Sequence, residues 1–199
     1  MISGPSGAGK TSICRRLLEL LPEATWSISA TTRPARPGEQ DGVDYYFLSR
    51  EEFDRRVREG RFLEHAEYLG NLYGTPAEPV RAALQAGKTV VMEIDVQGGI
   101  QVARKVPESL RFFILPPSER ELERRLVGRA TESAQQRQRR LEAARRELEL
   151  ARTSGCYPYF IVNDSLERAV DEIVEIIRQA DRREQGPATC PNPPPRQGV

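Results

Sequence analysis

A chain of 199 residues, 38% of them hydrophobic, is long enough for one well-packed folding unit with small inserted pieces. Its 30 basic residues against 29 acidic ones leave no global electrostatic case for a nucleic-acid or anionic-membrane partner, and the odd, widely spaced Cys14, Cys156 and Cys190, free of any CxxC pair, argue against a disulfide framework or a zinc site. No apolar run approaches the ~20 residues of a membrane span, and only Met1-Ile2-Ser3 precede the first motif, which leaves no room for a signal peptide, so a cytoplasmic protein is expected.

That first motif, Gly4-Pro5-Ser6-Gly7-Ala8-Gly9-Lys10-Thr11, fills GxxxxGK[ST]. Its glycines let successive backbone N–H groups converge on phosphate oxygens with no Cβ in the way. The helix that follows, marked by Ile13, Leu17 and Leu20 over roughly Lys10 to Leu21, adds its partial positive charge. Lys10 is placed to reach the β- and γ-phosphates, and the Thr11 hydroxyl to take one position on Mg²⁺. A phosphate loop normally leaves a buried strand of ~5 residues. With only Met1-Ile2-Ser3 ahead of the loop, either the strand is clipped or the start is misassigned, so a version extended upstream is expected to melt higher, and equal melting temperatures would count against this.

From Trp26 to Tyr73 the strand-like pieces are short, aromatic and polar, with Gly70-Asn71 placed as a hairpin turn, which reads as a small inserted β lobe. Within it Arg33 and Arg36 stand three apart in a loop stiffened by Pro34 and Pro37, followed by Asp44-Tyr45-Tyr46-Phe47. Guanidinium forks grip phosphate bidentately and a tyrosine hydroxyl adds a neutral donor, although such a loop is also what a solvated surface looks like. Ser49/Glu52, Thr75/Glu78 and Ser118/Glu121 each place a hydroxyl three residues before a glutamate, marking helix starts, with Pro76 at the first helical position of the second.

Apolar strands are expected at Thr89–Asp95, Leu110–Leu115 and Tyr159–Val162, alternating with helices as in a parallel α/β sheet. Asp95 ends the first of these, where open α/β sheets place ligand groups, and Glu93 shares its face; a strand-end salt bridge suits Glu93 as well as a site role does. The arginine-rich stretch 120–152, with a fresh helix start at Ser133/Gln136, reads as two helices with a movable connection, a lid. Arg125 and Arg129 share one helical face. Leu141, Ala144, Leu148 and Ala151 form an apolar stripe from which Arg137 departs. Asn163-Asp164 follows the last strand, and Asp164 with Glu167 also reads as a helix cap. A final core helix carries Ala169, Ile173, Ile176, Ile177 and Ala180, and the proline-rich residues 184–199 read as a disordered tail.

Taken together, Ser3-Gly4-Pro5-Ser6-Gly7, Ser29-Ala30-Thr31-Thr32-Arg33, Phe62-Leu63-Glu64, Gly70-Asn71-Leu72-Tyr73-Gly74-Thr75, Glu93-Ile94-Asp95-Val96-Gln97-Gly98 and Ile161-Val162-Asn163-Asp164 resemble the guanylate kinase family over about residues 2–183. The resemblance implies the P-loop nucleoside monophosphate kinase fold: a parallel-sheet core (1–28 and 76–183), a GMP-binding lobe (about 29–75) and an α-helical lid (about 120–152). It implies ATP and GMP as substrates and Mg²⁺ as cofactor. Carried over by position, residues 4–11 and Asn163 hold ATP. Arg33, Arg36, Tyr45 and Tyr73 hold the GMP phosphate; Ser29, Glu64 and Thr75 surround guanine, with Thr75 donating to O6; Glu93 and Asp95 help position GMP and hydrated Mg²⁺. Lys10, Arg36, Arg125, Arg129 and Arg140 stabilise the transferring charge. Ala130 stands where the family usually has glycine, at a hinge. Against a phosphotransferase stand a protein-binding module that has lost catalysis, an enzyme with another acceptor, and an arginine-helix nucleic-acid binder; intact Lys10 and Thr11, the Glu64/Thr75 pair, and the interleaved Glu142, Glu147 and Glu149 weaken each in turn.

Overall fold

The computed structural model describes residues 1–127 and 134–184. The expected hinge residue Ala130, Arg129, the helix start at Ser133 and the tail lie outside them, as does the side chain of Arg137.

Strand β1 (Ile2–Ser3) runs into the phosphate loop, and α1 (Lys10–Leu20) follows directly. Parallel to β1 lie β8 (Phe112–Leu115) and then β9 (Tyr159–Val162), in register Ile2 with Phe112 and Phe112 with Tyr159. On its other side β7 (Thr89–Val91) pairs with β2 (Ala24–Trp26). A bridge from Ile2 to Glu93, with Ile2 N donating to Met92 O at 2.8 Å and Ile94 N to Ile2 O at 3.2 Å, joins the two sets into one parallel sheet, β2-β7-β1-β8-β9. The short β1 is extended by Met1, whose carbonyl accepts from Phe112 N at 3.0 Å.

Strands buried on both faces read as continuous apolar runs, and Phe112-Phe113-Ile114 is such a run. One face is sealed by α1 through Ile13, Cys14 and Leu17 and by α7 (Leu166–Glu184) through Ala169, Val170, Ile173 and Ile177. The other takes α4 (Val96–Lys105) and α6 (Ala134–Thr153), where Val96, Ala151 and Tyr157 pack on Phe113. The phosphate loop thus leaves the middle strand of this sheet.

A second sheet, β4-β3-β6-β5, is built from β3 (Ala30–Thr31), β4 (Tyr46–Phe47), β5 (Phe62–Tyr68) and β6 (Asn71–Pro76). It has its own small core, in which α2 (Arg50–Arg58) buries Phe53 against Phe62 with ring centroids 4.5 Å apart. Ser49 caps α2 as expected, accepting from Glu52 N at 3.1 Å, and Ser118 does the same for Glu121 N at the head of α5 (Glu119–Val127). The cap expected at Thr75 is absent: α3 (Ala77–Gln85) starts from Pro76 with no side-chain cap, because the Thr75 hydroxyl is engaged elsewhere.

The β5–β6 hairpin turns one residue earlier than expected, at Leu69-Gly70, because Asn71 already pairs with Tyr68. Leu69 takes the left-handed conformation, φ 50°, with Gly70 at φ 82°. A leucine there costs about 1–2 kcal/mol, whereas Asn-Gly is favoured in such two-residue turns. Leu69→Asn is therefore expected to stabilise the protein by about 1 kcal/mol, a rise in Tm of about 2–4 °C; an unchanged or lower Tm would contradict this.

Candidate active site

A cleft of about 700 Å³ opens between the loop end of the parallel sheet, the small lobe and α6. Gly4, Ser6, Lys10 and Thr11 line its floor; Ser29, Arg33, Arg36, Tyr45, Glu64 and Tyr73 line the lobe side; Glu93 and Asp95 stand between, and Arg139 and Arg140 reach in from α6.

The Lys10 ammonium spans the mouth of the loop, donating to Gly4 O at 2.7 Å and Pro5 O at 3.1 Å. The Thr11 hydroxyl donates to Glu93 Oε1 at 3.1 Å, so Glu93 partners the loop. Asn163 is buried beneath the loop: its Nδ2 donates to Ala8 O at 2.7 Å, and a Cβ at Gly9 would lie 2.3 Å from that nitrogen. Its amide thus holds the backbone of the cradle from below, while Asp164 accepts from Ser165 N at 2.7 Å and pairs with Arg168.

Across the cleft, Arg33 is clamped. Its Nη2 donates to both oxygens of Glu39, at 2.8 and 2.9 Å, and its guanidinium lies 5.4 Å from the centre of the Tyr45 ring. Glu39 also accepts from Arg36 N at 2.7 Å, which fixes the backbone of the exposed Arg36. The rings of Tyr45 and Tyr73 meet edge to face, 6.2 Å apart.

Glu64 is the most buried charged residue of the cleft, 4% exposed. Burial pushes its carboxyl up to about 7, against the opposing hydrogen bond from Thr75. Thr75 is fully buried behind it and donates to Glu64 Oε1 at 2.6 Å. The proton of that hydroxyl is committed to the carboxylate, so the expected donation from Thr75 to O6 of the base has no proton to supply it in this geometry. Gly98 presses on the other oxygen: a Cβ there would lie 2.3 Å from Glu64 Oε2. Asp95 caps α4, accepting from Gly98 N at 2.8 Å through Oδ1, and burial raises its carboxyl above the usual range.

On the lid side, Arg140 Nη2 donates to Ser6 Oγ at 2.6 Å and Arg125 Nη2 to Asn163 O at 3.3 Å. Arg125 also pairs with Glu121 at 2.8 Å, and Arg124 and Arg125 together hold that carboxyl down at about 2. The expected third member, Arg129, lies outside the described residues.

Glu39, Gly98 and the α6 residue Glu147 went unrecognised as site residues in the sequence. Glu147 carried the clearest signal, a carboxylate seven residues after Arg140 on the same helical face, set among the apolar stripe of Ala144, Leu148 and Ala151. Among the described residues, no group of three or more His, Cys, Asp or Glu side chains could hold a metal, and no helix is long and apolar enough to cross a membrane.

A glycine-rich phosphate loop on a parallel sheet of this order, facing a small β lobe and an arginine-bearing helix, defines a P-loop nucleoside monophosphate kinase fold. The guanylate kinase family profile matches residues 1–180. Guanylate kinase of Rubrobacter xylanophilus is 51% identical over 179 residues, 90% of this chain and 92% of that one. The Thermus thermophilus guanylate kinase is 50% identical over 186 residues, covering 94% and 82%. The crystal structure of guanylate kinase from Anaplasma phagocytophilum superposes with a TM-score of 0.74 at 35% identity, covering 94% of this chain and 85% of that one. The chain belongs to the guanylate kinase family.

Proposed function

We propose that this protein transfers the γ-phosphoryl group of ATP to GMP, giving ADP and GDP, and that the buried Glu64 carboxylate is the observation that fixes the acceptor. Guanine presents N1–H and the 2-amino group as adjacent donors, which one carboxylate accepts together. Adenine offers a bare N1 lone pair there, and sites built on such pairing reject the wrong partner by ~10⁴-fold or more. Thr75 and Gly98 set the carboxylate from behind and from the side.

Arg33 and Arg36, ordered by Glu39, grip the acceptor phosphate with the hydroxyls of Tyr45 and Tyr73. Lys10 and the loop N–H groups hold the donor phosphates, and Asn163 keeps the loop in shape. Arg140, Arg125 and Arg129 supply positive charge from the lid as negative charge spreads over the transferring oxygens. Phosphoryl transfer asks little covalent work of the protein, so these fixed charges carry the catalysis. The Thr11 hydroxyl beside Glu93 offers hard oxygen ligands next to Lys10, which suits Mg²⁺; when bound with the nucleotide, the ion neutralises phosphate charge.

Titration of the protein with GMP, IMP and AMP tests the reading. GMP is expected to bind tightest, IMP, which lacks the 2-amino donor, about tenfold or more weaker, and AMP not measurably; equal affinities would overturn it. A pH dependence follows from the carboxyl at about 7. The ionised form accepts guanine's donors, so KM for GMP should rise about tenfold from pH 8 to pH 6. In Glu64→Gln the rise should shrink to what the substrate phosphate, with its own pKa near ~6, imposes. Stability has the opposite sign. A carboxyl held above its unfolded value of 4.5 favours the folded state at low pH, and that contribution is lost as pH rises through about 7.

A further inference from the structure

Beyond the residues given roles above, one buried carboxylate of the cleft has no assigned work. Glu147 projects from α6, is 9% exposed, and lines the same cleft as Glu64, Asp95 and Lys10. Its Oε1 is buried and has no hydrogen-bond partner among the described residues. Tyr68, at the end of β5, lines the same cleft beside the carboxylate. Asp95 repels it and Lys10 attracts it, so its carboxylate faces both the strand-end acid and the lysine of the phosphate loop. A buried carboxylate oxygen left without a donor is costly, and an apolar residue would fit the stripe of α6 at no such cost.

We propose that Glu147 is a further acceptor-binding residue, whose unpartnered oxygen accepts a hydrogen bond from a ribose hydroxyl of the acceptor nucleotide. Three features of the cleft argue for a sugar hydroxyl. The acceptor base is anchored at Glu64 and its phosphate at Arg33 and Arg36, so the sugar occupies the cleft between them, whose lining includes Glu147. The partner must be a donor, because the site already holds Asp95 and Glu64 and would repel a further anion. A neutral donor of the ligand suits it, since the Lys10 ammonium is engaged by Gly4 O and Pro5 O and the Arg140 guanidinium by Ser6 Oγ. Rotation about the terminal torsion of a glutamate is broad and nearly two-fold, so either oxygen can be presented to the ligand.

This inference rests on the reading of the cleft as a GMP site, and its test separates the two. KM and kcat would be measured for GMP, 2′-deoxy-GMP, 3′-deoxy-GMP and an acyclic guanine monophosphate with the wild type, Glu147→Gln, Glu147→Ala and Tyr68→Phe. Wild-type turnover of GMP checks the underlying reading on its own. The wild type is expected to discriminate about tenfold against whichever analogue lacks the bonded hydroxyl and against the acyclic one, as a hydrogen bond to a charged group gives. In Glu147→Ala that discrimination should vanish, through KM with kcat nearly unchanged. Glu147→Gln, which keeps an acceptor oxygen, should retain part of it, and Tyr68→Phe should retain it in full. A wild type indifferent to both deoxy analogues would overturn the proposal. So would a Glu147→Ala variant, shown folded by its melting curve, that weakens every acceptor by the same factor, since that is the mark of a structural link between α6 and the lobe.

Discussion

Glu64→Gln is expected to raise KM for GMP by about a hundredfold while changing kcat by less than about threefold. The amide keeps one acceptor oxygen but turns a donor toward guanine's own donors, so one bond survives without charge assistance and the other becomes a repulsive contact, a loss of about 1.5–3 kcal/mol in all. Fold stability should not suffer, because the substitution removes an acid that burial already pushes up to about 7. A Tm at pH 8 equal to or above that of the wild type would accompany the loss of affinity. A variant that instead lost kcat with KM unchanged would place Glu64 outside base recognition.

Lys10→Ala should give the complementary result, a fall in kcat of about 10³-fold with KM for GMP nearly unchanged. The ammonium lies at the mouth of the phosphate loop, and its positive charge counts most as charge develops on the transferring oxygens. Lys10→Arg should rescue little, because a planar fork cannot occupy the position of a compact ammonium held 2.7 Å from Gly4 O. Steady-state kinetics with both substrates varied would expose the opposite outcome, a raised KM for GMP with kcat preserved.

The features legible in the sequence are those that local spacing encodes. The loop Gly4 to Thr11 with its following helix, the caps at Ser49 and Ser118, and the strands around Phe112 and Tyr159 are each set by residues within a few positions of one another. The features that were not legible depend on contacts far apart in the chain. Thr75 reads as a cap for α3, but Glu64, eleven residues away, takes its hydroxyl across the β5–β6 pair. Asp95 reads as a free strand-end acid, whereas it also caps α4. The turn at Leu69-Gly70 is hidden because leucine is a poor turn residue and the register of β5 against β6 overrides that preference. Arg33 and Arg36 read as a pair of free forks; that Glu39 orders both follows from a loop closure no helical or strand period reveals. Glu147 is the extreme case, since only the packing of α6 over the cleft turns one more acid of a charged helix into a buried one.

The most direct test of the account is ADP release from Mg²⁺-ATP in the presence of GMP, dGMP, AMP, CMP, UMP or dTMP in turn, with the full chain. Turnover confined to the guanine nucleotides, with the other bases lower in kcat/KM by ~10⁴-fold or more, is the predicted result. Comparable turnover with AMP or a pyrimidine nucleotide, or none with GMP from protein shown to be folded, would contradict it.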